Sequence, residues 1–281
     1  MTPSSTPTLA TPLRAALAAA LVLGALAAGL SGCATSGVNQ GDVNLVSLAE
    51  EWALGRKLAA DIARQVRLVD DSSIVGYVNS VGQRIVRQTG MAQLPWEFHV
   101  VADPEVNAFN IPGGHVYVNT GLIAATDDVG ELAGVLGHEI SHGVARHGTE
   151  QLTRVYGLNI LAGLLLGNDP ATYERILAQI LGTGAIARFS RSAEEEADRL
   201  GVRYMYDAGY DPNGMVRMFE GLLSRRRSQP SSVDKFFATH PLTEERIRDT
   251  RNAIAGLPAK SGLISRDAAY QSVRREVGRY H

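Results

Sequence analysis

The five residues His138-Glu139-Ile140-Ser141-His142 constrain this chain more than any other stretch. Residues four apart on an α-helix stand one above the other on one face, so imidazoles at 138 and 142 can converge on a single ion. Glu139 is rotated by about 100° from His138. That offset keeps its carboxylate off the ion but beside it, within reach of a proton on a water that the ion holds. The flanking residues support a helix. Leu132, Val135, Leu136, Ile140 and Val144 recur along one side, and Gly148 stands near the expected C-terminus.

H-E-x-x-H is the arrangement of zinc metalloproteases. A catalytic zinc takes three protein ligands and leaves one position open, so a third His, Asp or Glu is expected further along. Downstream carboxylates concentrate in "FSRSAEEEADRLGVRYMYDAGYDP", residues 189–212, which reads as a helix starting near Ser190 or Ser192. Glu194, Ala197 and Asp198 share a face there. Such a face suits a metal-ligating glutamate, a small residue that lets helices approach, and an aspartate accepting the outer N–H of a ligating histidine. Carboxylates also favour a helix N-terminus for its dipole alone, so the stretch by itself leaves a solvated acidic turn open.

The first 33 residues are of another kind. A polar start with one arginine is followed by sixteen apolar residues ending at Leu30, short of the roughly twenty that span a bilayer, which reads as a secretory signal over 1–32. Leu30-Ser31-Gly32-Cys33 looks like a bacterial lipobox, with Cys33 the lipidated new N-terminus. Cys33 is the only cysteine, so an internal disulfide is excluded and acylation gives that sulfur a role. Several acyl chains on one residue anchor a protein stably. Ala34 after the cysteine resembles the pattern sent to the outer membrane, and residues 33–44 read as a flexible tether.

The remainder, 45–255 with a C-terminal tail at 256–281, suits one globular domain. The charges of the whole chain, 27 basic against 29 acidic, lack the concentrated basic face that nucleic acid requires. Helical spacing runs from about 45 to 65 and from 74 to 88. "WEFHVVAD" (96–103) and "GHVYVNTGLI" (114–123) are the strand candidates, which predicts an α+β fold: many helices and a small antiparallel sheet. The apolar blocks between 153 and 187 are too short and glycine-interrupted to span a bilayer and read as buried helices. His147, His99 and His115 read as structural.

"HEISH", followed about fifty residues later by "SRSAEEEAD", resembles the zinc metallopeptidase family that includes the CAAX prenyl proteases, HtpX and the periplasmic protease BepA. Ser190, Arg191, Glu194, Ala197 and Asp198 match that family's S-R-x-x-E-x-x-A-D, and "NAFNIPGGHVYVNTGLI" and "THPLTEERI" extend the likeness over most of 45–255. The resemblance implies a zincin-like fold, one Zn(2+) per chain, His138, His142 and Glu194 as ligands, Glu139 as general base and Asp198 behind a ligand. The multiple membrane spans of HtpX and the repeats of BepA are lacking. The likeness is therefore greatest to the short lipoprotein members.

The expected function is zinc-dependent endopeptidase action on misfolded or misassembled envelope proteins, beside the outer-membrane assembly machinery. A chaperone-like lipoprotein with latent proteolysis is the alternative. A substrate chain is expected to add alongside the strand at Gly114, His115, Val116 and Tyr117, where Gly113 and Gly114 either allow close approach or form a turn. The resemblance also implies a His-Pro loop over the site, with His240 as a regulatory fourth ligand. The competing expectation is that His240 or Thr239 caps a helix beginning at Pro241.

Overall fold

The computed structural model describes residues 46–183 and 188–280, together with Val38 and Asn44. The expected leader, the lipobox with Cys33 and most of the tether lie outside the described residues, as does His281.

Helices form where caps and apolar periodicity agree. Helix α1 (Leu48–Ala63) starts at a capping box, the Ser47 side chain accepting from the Glu50 amide while Glu50 accepts from the Ser47 amide at 2.8 Å. Helix α2 (Ser72–Val86) starts at Asp71, whose carboxylate accepts from the Ser73 amide, and buries Ile74, Val78, Val81 and Ile85. Three strands follow: β1 (Glu97–Val101), β2 (Ala108–Ile111) and β3 (His115–Asn119). The order is β1-β3-β2, with β1 parallel and β2 antiparallel to β3.

The sheet thus departs from expectation in two ways. It is mixed, and it contains β2, too short and too uniformly buried to show the alternation that marks a strand. The segment expected to be extended as far as Ile123 turns helical at Thr120, in α3 (Thr120–Ala125).

Helix α4 (Val129–Val144) is capped by Asp128, whose carboxylate accepts from the Glu131 amide at 3.0 Å, and is buried on nearly every side, as befits the central helix of a domain. It ends before Gly148. Arg146 takes the left-handed conformation after the helix (φ 60°), and its guanidinium is held by Glu51 and the Val46 carbonyl. Helices α5 (His147–Leu165, interrupted at Gly157) and α6 (Pro170–Thr183) pack with α1 on one sheet face, where Phe109, Ile111, Tyr117, Leu58 and Ile176 share a core.

Helix α7 (Arg191–Asp207) begins at Ser190, whose hydroxyl accepts from the Ala193 amide at 3.2 Å. It crosses α4 where two glycines meet: a Cβ on Gly137 would stand 3.3 Å from the Gly201 carbonyl oxygen, and one on Gly201 3.2 Å from that of Gly137. This close crossing brings the first turns of α7 against the His138 face of α4. Then come α8 (Asn213–Ser228), α9 (Asp234–Thr239), α10 (Glu244–Ala255) and α11 (Ala268–Glu276).

Two expectations fail here. Residues 256–281, read as a tail, carry α11, which buries Tyr270 and Val273; Tyr270 donates to the Ile123 carbonyl at 3.1 Å. Pro241 begins no helix. His240 closes α9, and Thr243 caps α10 by accepting from the Arg246 amide at 3.2 Å. No described helix is long and apolar enough to cross a membrane.

Candidate metal centre

His138 and His142 stand side by side on α4 with Nε2 atoms 3.1 Å apart. Glu194, from the first turn of α7, reaches both, Oε1 lying 3.3 Å from His142 Nε2 and Oε2 3.6 Å from His138 Nε2. His240 completes the group: its Nδ1 is 3.2 Å from His138 Nε2 and 3.0 Å from Glu194 Oε1. All four are buried, and each offers one ligand atom within 4.8 Å of the others.

His138 and His142 are each held from behind. Asp198 Oδ1 lies 2.9 Å from His138 Nδ1. Arg246 fixes that carboxylate in turn, donating from Nε to Oδ2 at 2.7 Å and from Nη2 to Oδ1 at 2.8 Å, while its Nη1 lies 2.5 Å from Glu194. His142 Nδ1 meets His147 Nδ1 at 2.8 Å, the His147 Nε2 faces Glu196, and Phe189 stacks on the His142 ring at 4.0 Å. These contacts leave both Nε2 atoms aimed at one point.

A divalent metal fits that point. Ligands at about 2.0–2.2 Å from a tetrahedral ion stand about 3.3–3.5 Å from one another, which the 3.1, 3.3 and 3.6 Å separations bracket. Imidazole nitrogens sharing so small a space can satisfy one another only partly, whereas a metal cation accepts a lone pair from each at once. Among the described residues, neither Glu139 oxygen nor His240 Nε2 has a hydrogen-bond partner, so the cluster carries polar atoms that protein alone leaves unmatched.

The electrostatics agree. Burial opposes a charge on His138, but Asp198 and Glu194 outweigh it and push its pKa up to about 10, a measure of how strongly they draw positive charge to this spot. Burial likewise opposes ionisation of Glu194, yet His240, His138 and His142 hold it well below the usual carboxylate range. Burial holds His142 well below the usual histidine value, leaving a neutral ligand. The Glu139 carboxyl is raised above its ordinary value, chiefly by burial. Its Oε1 lies 3.5 Å from His240 Nε2, and its main-chain carbonyl accepts from Asn110 Nδ2 of β2 at 2.7 Å.

The expected site residues His138, Glu139, His142, Glu194, Asp198 and His240 therefore come together. Gly114, His115, Val116 and Tyr117 do not serve as the expected edge. β3 is the central strand, paired on both sides, and Gly113 and Gly114 have positive φ (87° and 75°) in the turn from β2. β2 packs more closely against α4 than β3 does. His147, read as structural, starts a new helix and turns its ring back onto His142. Arg246 was missed, since nothing local distinguishes it from the exposed Arg248, Arg251 and other arginines around it.

A mostly helical domain with such a histidine–histidine–glutamate cluster and an adjoining glutamate is a metallopeptidase architecture. Residues 74–254 match peptidase family M48, and the chain belongs to that family. It is 29% identical over 284 residues to the Beta-barrel assembly-enhancing protease of Escherichia coli K12, covering 96% of this chain and 57% of that protein. It is 33% identical over 201 residues to a Putative beta-barrel assembly-enhancing protease of Vibrio cholerae (68% and 41%), and 35% identical over 172 residues to the Mitochondrial metalloendopeptidase OMA1 of Schizosaccharomyces pombe (61% and 50%). The chain spans about half the length of these relatives.

Proposed function

We propose that this chain is a zinc-dependent endopeptidase of the bacterial cell envelope, tethered to the outer membrane through a lipid on Cys33 and acting on misfolded or misassembled envelope proteins. One observation carries the peptidase reading: three ligand-type atoms of His138, His142 and Glu194 converge beside a buried glutamate whose oxygens have no hydrogen-bond partner among the described residues. The names of the relatives from Escherichia coli and Vibrio cholerae support the envelope setting and the proximity to outer-membrane assembly. Cys33 and its lipobox support the tether.

Zinc held by His138, His142 and Glu194 would supply Lewis acidity toward a peptide carbonyl and a water molecule. Glu139 takes the proton of the attacking water and returns it to the leaving amine, a double duty suited to its burial-raised pKa. Asp198 and His147 fix the ring orientations of the two histidines, and Arg246 holds Asp198 in place. An extended substrate adds to β2, whose outer edge has no strand partner among the described residues and whose Asn110 is bonded to the backbone of Glu139.

His240 keeps this site latent. Its ring is fully buried against Glu194, His138 and Glu139, in the place of a fourth ligand, and the backbone before Glu194 is tied to its loop by Phe189 N–H donating to the Thr239 carbonyl at 3.3 Å. Glu139→Gln tests the mechanism. It should retain zinc while hydrolysis of an unfolded envelope-protein substrate disappears; hydrolysis at the parent rate removes Glu139 from the reaction.

A further inference from the structure

Glu97, His99 and His115 form a second constellation, apart from the peptidase cluster. Glu97 and His99 are two apart on β1 and so share a face, and the parallel register sets His115 of β3 directly opposite Glu97. The same three atoms make every close pair. His99 Nε2 is 3.4 Å from His115 Nδ1, His99 Nε2 is 3.7 Å from Glu97 Oε2, and His115 Nδ1 is 3.6 Å from that same oxygen.

We propose that these residues bind a second divalent cation, of the borderline class that zinc represents, across β1 and β3. Two imidazoles and one carboxylate are a zinc donor set, and ligands at about 2.0–2.2 Å in tetrahedral array stand about 3.3–3.5 Å apart, so closing this triangle on an ion takes shifts of a few tenths of an ångström. The separations resemble those of the peptidase cluster, where the gaps run from 3.1 to 3.6 Å.

The surroundings favour ligation. Burial disfavours a positive charge on His99 and on His115. The His99 ring is fixed by stacking on Tyr117 at 4.6 Å, which stacks on Phe109 at 4.8 Å. The Glu97 side chain is 55% exposed and the His115 side chain 4%, so the site opens on its carboxylate side, where the ion enters and water completes its shell. Arg56 is close enough to His115 to oppose positive charge there and limits affinity. Occupancy cross-links β1 to the central strand and leaves the peptidase cluster untouched.

Equilibrium dialysis of the full chain in detergent micelles against a zinc series, with metal analysis, decides the matter for the parent, His99→Gln and His142→Ala. The expected result is two zinc ions in the parent and one in each variant, with Glu97→Gln, a change at an exposed side chain, weakening the second ion at least tenfold. Equal zinc in parent and His99→Gln overturns the strand site. If that shared zinc is lost in His142→Ala, the peptidase reading stands alone. A single parental zinc lost in His99→Gln and kept in His142→Ala supports the strand site and instead removes the metal basis of the proposed function.

Discussion

Replacing Arg246 with methionine should be among the most damaging single changes in this protein. The guanidinium is buried, donates to both Asp198 oxygens at 2.7 and 2.8 Å, lies 2.5 Å from Glu194, and also donates to the Pro241 carbonyl at 3.0 Å. Methionine fills much of the volume but leaves two buried carboxylates without their cation. Stranding one partner of a buried pair costs about 3–5 kcal/mol, and at about 2–4 °C per kcal/mol for a domain of this size the melting temperature should fall by about 6–20 °C. The assay is thermal unfolding in excess chelator, repeated with saturating zinc. Zinc should restore part of the loss, because an ion at the cluster compensates Glu194 while Asp198 keeps only its hydrogen bond with His138 Nδ1. Arg246→Lys keeps the charge without the two-pronged geometry and should fall between. A methionine variant melting within about 2 °C of the parent, the range of a surface substitution, would refute the reasoning.

Three further outcomes are expected. His240→Ala should raise basal hydrolysis of an unfolded substrate several-fold, read by initial rates; unchanged or lower activity counts against latency. His147→Ala removes the partner of His142 Nδ1 and should weaken zinc about 10–100-fold in competition with a chromophoric chelator, with unaltered affinity assigning His147 a packing role only. Because the folded-state pKa of His99 lies near 4, below its unfolded value of about 6.5, the folded protein binds fewer protons, so stability is full above pH 6.5 and declines as pH falls toward 4. In chelator, His99→Gln should flatten that decline in urea-unfolding measurements; an identical pH slope would show that His99 does not titrate in this way.

The active-site helix was legible because H-E-x-x-H fixes side-chain direction through helical period alone, and the start of α7 because Ser190 is a cap of ordinary kind. Glu194 was legible only through the family pattern, since three consecutive glutamates look alike until the Gly137–Gly201 crossing selects the face that meets His138. The rest depended on contacts distant in sequence. β2 is four buried residues with no alternation, and the parallel pairing of β1 with β3 is decided by how the intervening chain returns. Arg246 is one arginine among several until α10 packs its side chain against Asp198. Arg146 displaced the expected role of Gly148 because Glu51, far away in the chain, holds its guanidinium in place.

In the proposed function, Glu194 joins His138 and His142 in holding the metal that Glu139 uses. Zinc content per chain, measured in a His99→Gln background where the strand site is disabled, tests it most directly. One zinc is expected with Glu194 present and almost none with Glu194→Ala. Equal zinc in the two proteins would contradict it and move the third ligand to another residue, His240 foremost.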